Sequence, residues 1–118
     1  MSVVFFDCES DCVFARCPGA SRDQQFQNMQ ATIVCALRLD SKLCLDPEQC
    51  DEAMTRGAAM HWWRDVAPKG AGPFDELLNL FDDAELIVAY NGLDFDFPLL
   101  RKHYTRKNGG EARYMAHR

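Results

Sequence analysis

Two segments of this chain run from apolar residues into acidic ones, one near each end of the sequence. Residues 3–9 end in Asp7 and Glu9, and residues 87–96 end in Asp94 and Asp96. A short, continuous apolar run rich in Val, Ile and Phe predicts a strand that is covered on both faces of a sheet. Side chains two residues apart in a strand point to the same face. We therefore expect Asp7 and Glu9 to lie side by side at the end of a central strand.

Paired carboxylates of this kind predict a site for a divalent cation. Asp7 and Glu9 repel each other on one strand face unless water or a cation lies between them. Mg²⁺ and Mn²⁺ are hard ions that take oxygen ligands. Two such ions about 3.5–4 Å apart can stabilise both the attacking and the leaving oxygen of a phosphodiester.

The acidic segments also resemble two motifs of a known family. Phe6-Asp7-Cys8-Glu9 resembles the first motif of the DEDD 3′–5′ exonucleases, and Asn91 with Phe95-Asp96 (Asn-x-x-x-Phe-Asp) resembles the second. The resemblance covers residues 3–104. It implies an α/β fold with a ribonuclease H-like mixed sheet, in which three N-terminal antiparallel strands are followed by a helix, a strand and a helix. The length fits one domain, residues 1–118.

The resemblance implies roles for five residues. Asp7, Glu9 and Asp96 would be the catalytic residues and the ligands of Mg²⁺ or Mn²⁺, with Asp7 bridging two ions. Asn91 and Phe95 would bind the substrate, the 3′ end of single-stranded DNA or RNA. The general base remains unassigned, since His103 lies too early and His117 lies at the very end of the sequence.

One acid of the family is missing from its expected position. The third motif places an Asp four or five residues after a Tyr or His, whereas here Tyr104 is followed by Asn108 and the acid after Asp96 is Glu111. We therefore expect a C-terminally truncated domain whose sheet is incomplete and whose second ion is held weakly. Uncovered apolar surface on such a sheet makes self-association an expectation.

Two other functions fit the same residues. The chain could be a catalytically inactive, nuclease-like module that binds nucleic acid or protein. Its six cysteines could also give a plain α/β domain a redox or zinc role. The sequence contains no Cys-x-x-Cys pair and its histidines are scattered singly, which favours reduced thiols.

Composition and charge limit the class of protein further. With 47% hydrophobic and 26% charged residues, the sequence is typical of a globular domain. It has no apolar run of about 20 residues to cross a membrane. The run at 3–6 lacks the basic flank of a signal peptide, so we expect an intracellular protein.

The charge of the chain is distributed unevenly. The net charge is −5, yet residues 101–118 contain six Lys and Arg and one Glu. That basic end either steers a phosphate backbone to the metals or is a solvated helix end.

Two further features of the sequence leave alternatives open. Asp96 followed by Pro98 is typical of a helix start, so Asp96 is either a ligand or only an N-cap. Trp62 and Trp63 form either a nucleobase-stacking surface or one core anchor with a partly covered neighbour.

Hydrophobic periodicity predicts the order of the elements. The predicted strands are 3–6, 29–39, 43–45 and 86–90. The predicted helices are 48–56, 58–67, 74–83 and one after Asp96, and residues 11–23 are predicted to be a loop.

Overall fold

The computed structural model describes residues 2–44, 46–65 and 74–107. A π-helical turn, Gly92–Asp96, leads directly into the last helix, and short 3₁₀ turns lie at Phe14–Arg16 and Pro47–Gln49. In chain order the strands and helices are β1 Ser2–Ser10, α1 Arg22–Asn28, β2 Ala31–Asp40, α2 Ser41–Cys44, α3 Cys50–Arg56, β3 Ala58–Trp63, α4 Asp75–Asp83, β4 Ala84–Val88 and α5 Phe97–Lys107.

The four strands form one mixed sheet in the order β3-β2-β1-β4. Strand β2 is antiparallel to both β1 and β3, whereas β4 is parallel to β1. Three antiparallel strands are thus followed by helix, strand and helix, which confirms the predicted α/β mixed sheet. The apolar run at residues 3–6 lies in β1, an inner strand, as predicted.

The position of the third strand differs from the prediction. Leu43 and Cys44 belong to the helical turn α2, so the strand predicted at 43–45 is wrong there, and residue 45 lies outside the described residues. The helix predicted at 58–67 is also wrong, because residues 58–63 form β3. Burial in β3 alternates from residue to residue, which is the period of a strand lying on a sheet surface.

Helices α1, α4 and α5 pack their apolar side chains against one face of the sheet. The ring of Phe6 in β1 lies 4.8 Å from that of Phe81 and 5.3 Å from that of Phe97, measured between centroids. Lys102 of α5 donates hydrogen bonds to backbone carbonyls at the end of α1, including those of Phe26 and Gln27 at 3.2 Å. The buried cluster is made of Val4, Phe6, Cys8, Val34 and Ala36 from the sheet with Phe26, Leu77, Leu78, Phe81, Phe97, Leu99 and Leu100 from these helices.

On the opposite face of the sheet, side chains of β1, β2 and β3 are exposed within the described ranges. They include Phe5, Asp7 and Glu9 on β1 and Cys35 on β2. We call this surface the open face. Cys8, Cys12, Cys17 and Cys35 are free thiols. Within the three described ranges, no helix is long and apolar enough to cross a membrane.

Candidate active site

The site is built where β4 ends beside β1. The parallel pairing of β1 with β4 runs from Ser2 to Phe5 and stops there. On that side β1 therefore has no paired strand beyond Phe5 among the described residues, and its N–H groups need another acceptor. Asp96 supplies one, because its Oδ1 accepts a hydrogen bond of 3.0 Å from the backbone N–H of Cys8.

A tight turn after β4 brings Asp96 to this position. Asn91 has a left-handed backbone with φ +55°, and its carbonyl accepts from the N–H groups of Asp94 and Phe95. Gly92 follows, in close contact with the residue after β4, where a Cβ would lie 2.7 Å from the Cβ of Ala89. π-helical turns of this kind are frequent at functional sites. The turn directs the Asp96 carboxylate to β1 rather than to the first turn of α5.

Asp7 and Glu9 lie on either side of Cys8, so the structure brings all three predicted ligands to one short stretch of β1. The side chains of Asp7 and Glu9 are exposed on the open face, whereas Asp96 is only 2% exposed. Neither Asp7 nor Glu9 makes a side-chain hydrogen bond or ion pair with the described residues. Both carboxylates are therefore free to turn toward a ligand.

The electrostatics of the site reflect this crowding. Burial is the largest cause that raises the pKa of Asp96, and the charge of Asp7 raises it further, while the hydrogen bonds from Cys8 oppose the shift. The pKa of the Cys8 thiol is also raised, first by burial and then by the charge of Asp96. Cys8 therefore stays protonated and serves as a donor to Asp96 rather than as a thiolate.

The three carboxylates do not form a closed ligand set. Within the described part of the chain, no three His, Cys, Asp or Glu side chains are arranged so that they could hold a metal ion. The chemistry of the donors nevertheless fits Mg²⁺ or Mn²⁺, since all three are carboxylates and two of them are unrestrained. The structure thus gathers Asp7, Glu9 and Asp96 without fixing them in a coordinating geometry.

The predicted substrate-binding residues lie in the same turn. Asn91 is exposed and, with Leu93 and Asp94, lines a cavity of about 400 Å³. Phe95 is half-buried, with its ring centroid 6.1 Å from those of Phe14 and Phe26, so it anchors the turn to the core. Sequence reasoning did not single out Tyr90, which precedes this turn and is 94% exposed.

The remaining residues considered from the sequence are the histidines and those near the C-terminus. His103 is buried with its ring 5.2 Å from that of Phe74, on the helix side of the sheet. His61 lies on the open face and is exposed. Asn108, Glu111 and His117 lie outside the described residues, as does the basic end beyond Lys107.

Comparison with known proteins gives a likeness of fold. No protein-family model matches the chain. No curated protein matches it either. A solved structure that is similar to it is the family B DNA polymerase from the hyperthermophilic archaeon Pyrobaculum calidifontis, with a TM-score of 0.54 and 16% sequence identity. The match covers 96% of this chain and 12% of that polymerase, so this mixed sheet and its helices correspond to a small part of the larger protein.

Proposed function

We propose that this chain is a metal-dependent 3′–5′ exonuclease domain that hydrolyses phosphodiester bonds of single-stranded nucleic acid. The observation that carries the proposal is the hydrogen bond from the Cys8 N–H to Asp96, which holds a third carboxylate against the backbone of the residue that separates Asp7 and Glu9. The likeness to part of a DNA polymerase supports it, since it is consistent with the ribonuclease H-like exonuclease domain of such an enzyme.

In this proposal Asp7, Glu9 and Asp96 hold Mg²⁺ or Mn²⁺. When bound by carboxylates, these ions supply an activated water and stabilise the charge that develops on the phosphodiester. The two exposed side chains turn toward the cation, while Asp96 is kept in place by the backbone of β1. Binding would also relieve the repulsion between Asp7 and Asp96, because a cation favours the ionised form of both carboxyls.

The turn before α5 would orient the substrate. The exposed amide of Asn91 can donate to and accept from a terminal nucleotide, and its backbone is fixed by the hydrogen bonds to its carbonyl. Phe95 contributes indirectly, because its contacts with Phe14 and Phe26 hold the turn against the core.

The direct test is degradation of a 5′-labelled single strand in the presence of Mn²⁺. We expect the wild-type protein to shorten the strand from its 3′ end, and Asp7→Ala and Asp96→Asn to abolish this. Glu85→Gln is the control, because Glu85 is an exposed acid on β4, just before the turn, and does not line the cavity beside Asn91. Shortening that survives in Asp7→Ala would contradict the proposal.

A second candidate is a nuclease-like binding module without turnover. The lack of a preformed ligand set within the described ranges favours it. Calorimetry with Mn²⁺ separates the two functions when combined with the degradation assay. Strand binding without shortening at saturating Mn²⁺ identifies the module, whereas shortening that depends on Asp7 and Asp96 identifies the enzyme.

A further inference from the structure

The adjacent tryptophans of β3 have different environments. Trp62 is half-buried against the core, and its indole N–H donates to a carboxylate oxygen of Glu76 at 3.3 Å. Trp63 points to the open face and is 54% exposed. Trp62 packs against the core as the expected anchor does, but it is only partly buried, and Trp63 is more exposed than a partly covered neighbour would be. The pair therefore leaves a large aromatic surface in solvent.

The register of the sheet places Trp63 in line with the acidic pair. Glu9 lies opposite Ile33 on β2, and Ile33 lies opposite Trp63 on β3. Asp7, Cys35 and His61 form the neighbouring row across the same three strands. Adjacent strands are about 4.8 Å apart, so Trp63 lies about 10 Å from the backbone of Glu9 across the open face.

We propose that Trp63 is a stacking platform for a base of the single strand whose 3′ end lies at Asp7 and Glu9. This inference rests on the proposed function and names a substrate contact for it. An exposed indole on a flat face accepts any base, because every base has a π-face. Stacked nucleotides advance about 3.4 Å each, so a span of about 10 Å reaches about three nucleotides from the carboxylates.

Nucleic acid fits this face better than a protein partner does. A protein partner would have to supply its own cations to Asp7 and Glu9, because burying unpaired carboxylates is unfavourable. A single strand can stack a base on Trp63 while Asp7 and Glu9 remain in solvent or on the divalent cation of the proposed function. The experiments must therefore distinguish a nucleic-acid strand from a protein partner on this face.

Fluorescence tests the contact without requiring turnover. The chain has two tryptophans, so Trp62→Phe leaves Trp63 as the sole indole. We expect the emission of this variant to be quenched in a saturable manner by an eight-nucleotide oligothymidylate. Trp63→Phe, in which Trp62 is the sole indole, should show no such quenching. An unquenched Trp63 at oligonucleotide concentrations that saturate binding would overturn the inference.

Affinity and strand length provide the second test. We expect Trp63→Ala to weaken binding of the eight-nucleotide strand about fivefold to a hundredfold, the range that base stacking gives. Binding of a dinucleotide should be unchanged because it ends before Trp63, and Trp63→Phe should retain most of the affinity. An equal loss for both lengths, or no loss for the longer strand, refutes the platform. If Trp63→Ala fails to fold by circular dichroism, the quenching experiment decides.

The two proposals fail in different ways. Quenching of Trp63 without strand shortening rejects the exonuclease and retains the platform. Metal-dependent shortening without quenching rejects the platform alone. If the strand does not bind and the protein does not shorten it, both proposals are rejected, and a protein partner becomes the alternative to test for the open face.

Discussion

The carboxylate of Asp96 accepts a hydrogen bond from the backbone N–H of Cys8, 88 residues earlier in the chain. The bond is buried, and it takes the place that a ladder bond from β4 would have filled had that strand continued past Val88. One side chain thereby satisfies the backbone of a central strand and brings a third carboxylate to Cys8, the residue between Asp7 and Glu9. The structural and the proposed chemical roles of Asp96 depend on different properties, namely its acceptor oxygen and its charge.

Two substitutions of Asp96 separate these roles. Asp96→Asn keeps an acceptor oxygen for the Cys8 N–H but removes the charge, so we expect a free energy of unfolding close to that of the wild type and a large loss of Mn²⁺ affinity. Asp96→Ala leaves a buried donor unsatisfied, which costs about 1–3 kcal/mol. Urea denaturation and calorimetry measure the two effects.

Equal destabilisation by both substitutions would show that the charge, rather than the acceptor oxygen, stabilises the fold. Asp94→Asn serves as the control, since this exposed side chain is expected to change neither quantity by more than the effect of an ordinary surface substitution, about 0.5 kcal/mol.

The raised pKa of Asp96 predicts how stability depends on pH. Because burial raises this pKa in the folded state, the folded chain binds the proton more tightly than the unfolded chain does. The contribution of Asp96 to the free energy of unfolding therefore falls as the pH rises from the ordinary aspartate pKa of about 3.9 through the raised folded value. Asp96→Asn removes the titrating group, so the difference in unfolding free energy between wild type and variant should change across this window.

The measurement is urea denaturation of both proteins at a series of pH values on the acidic side of neutrality. A wild-type curve that runs parallel to that of Asp96→Asn throughout would mean that Asp96 titrates alike in the folded and unfolded chains. Saturating Mn²⁺ should reduce the dependence in the wild type if the ion binds there, because a cation favours the ionised carboxyl.

Gly92 is required by close approach rather than by an unusual backbone angle. A Cβ at this position would lie 2.7 Å from the Cβ of Ala89 and 3.3 Å from the ring of Phe97. We expect Gly92→Ala to lower the free energy of unfolding by about 1–3 kcal/mol, as overpacking does in a well-packed site, and to displace the turn that carries Asp96. Leu93→Ala, at the exposed neighbour, is the control. Thermal denaturation that ranks the two variants in the reverse order would contradict this reading.

The sequence predicts the elements that pack on the core better than those on its margins. Phe74, Leu77, Leu78 and Phe81 recur at helical spacing, and all four are buried, so α4 was predicted within one residue of its bounds. The run at 3–6 predicted an inner strand covered on both faces; β1 is an inner strand, but Phe5 is exposed on the open face, so the expected cover on that face is wrong there. These elements follow from burial, which the order of apolar residues reports directly.

Helix α1 and strand β3 were not predicted, because the sequence patterns that indicate them are polar or weak. Helix α1 begins inside the predicted loop, where Ser21 accepts from the N–H of Gln24 and Gln24 accepts from that of Ala20. This pair resembles a capping box and could have revealed the helix start. β3 alternates between exposed and half-buried residues, but Ala58, Ala59 and Met60 carry no strand preference, so the stretch was taken for a helix.

The residues of the candidate site remain a prediction from the motifs, and their geometry did not follow from the sequence. Motif spacing selects Asp7, Glu9 and Asp96, and the fold brings them to the same stretch of β1. No pattern of residues reveals that β4 stops at Val88, and it is this early end that frees the Cys8 N–H for Asp96. The exposure of Trp63 likewise depends on the register of β3, which the sequence did not provide.

Two substitutions of Asn91 separate the role of its backbone from the role of its side chain. Its left-handed φ of +55° is tolerated by Gly and disfavoured for Ala by about 1–2 kcal/mol. We expect Asn91→Gly to preserve the free energy of unfolding, and Asn91→Ala to lower it by about that amount. If the amide orients the 3′ end of the strand, Asn91→Gly raises the KM for single-strand degradation about tenfold, which is the value of one lost hydrogen bond. Unfolding and steady-state kinetics on the same preparations distinguish the effects, and a wild-type KM in a fully folded Asn91→Gly would limit Asn91 to forming the turn.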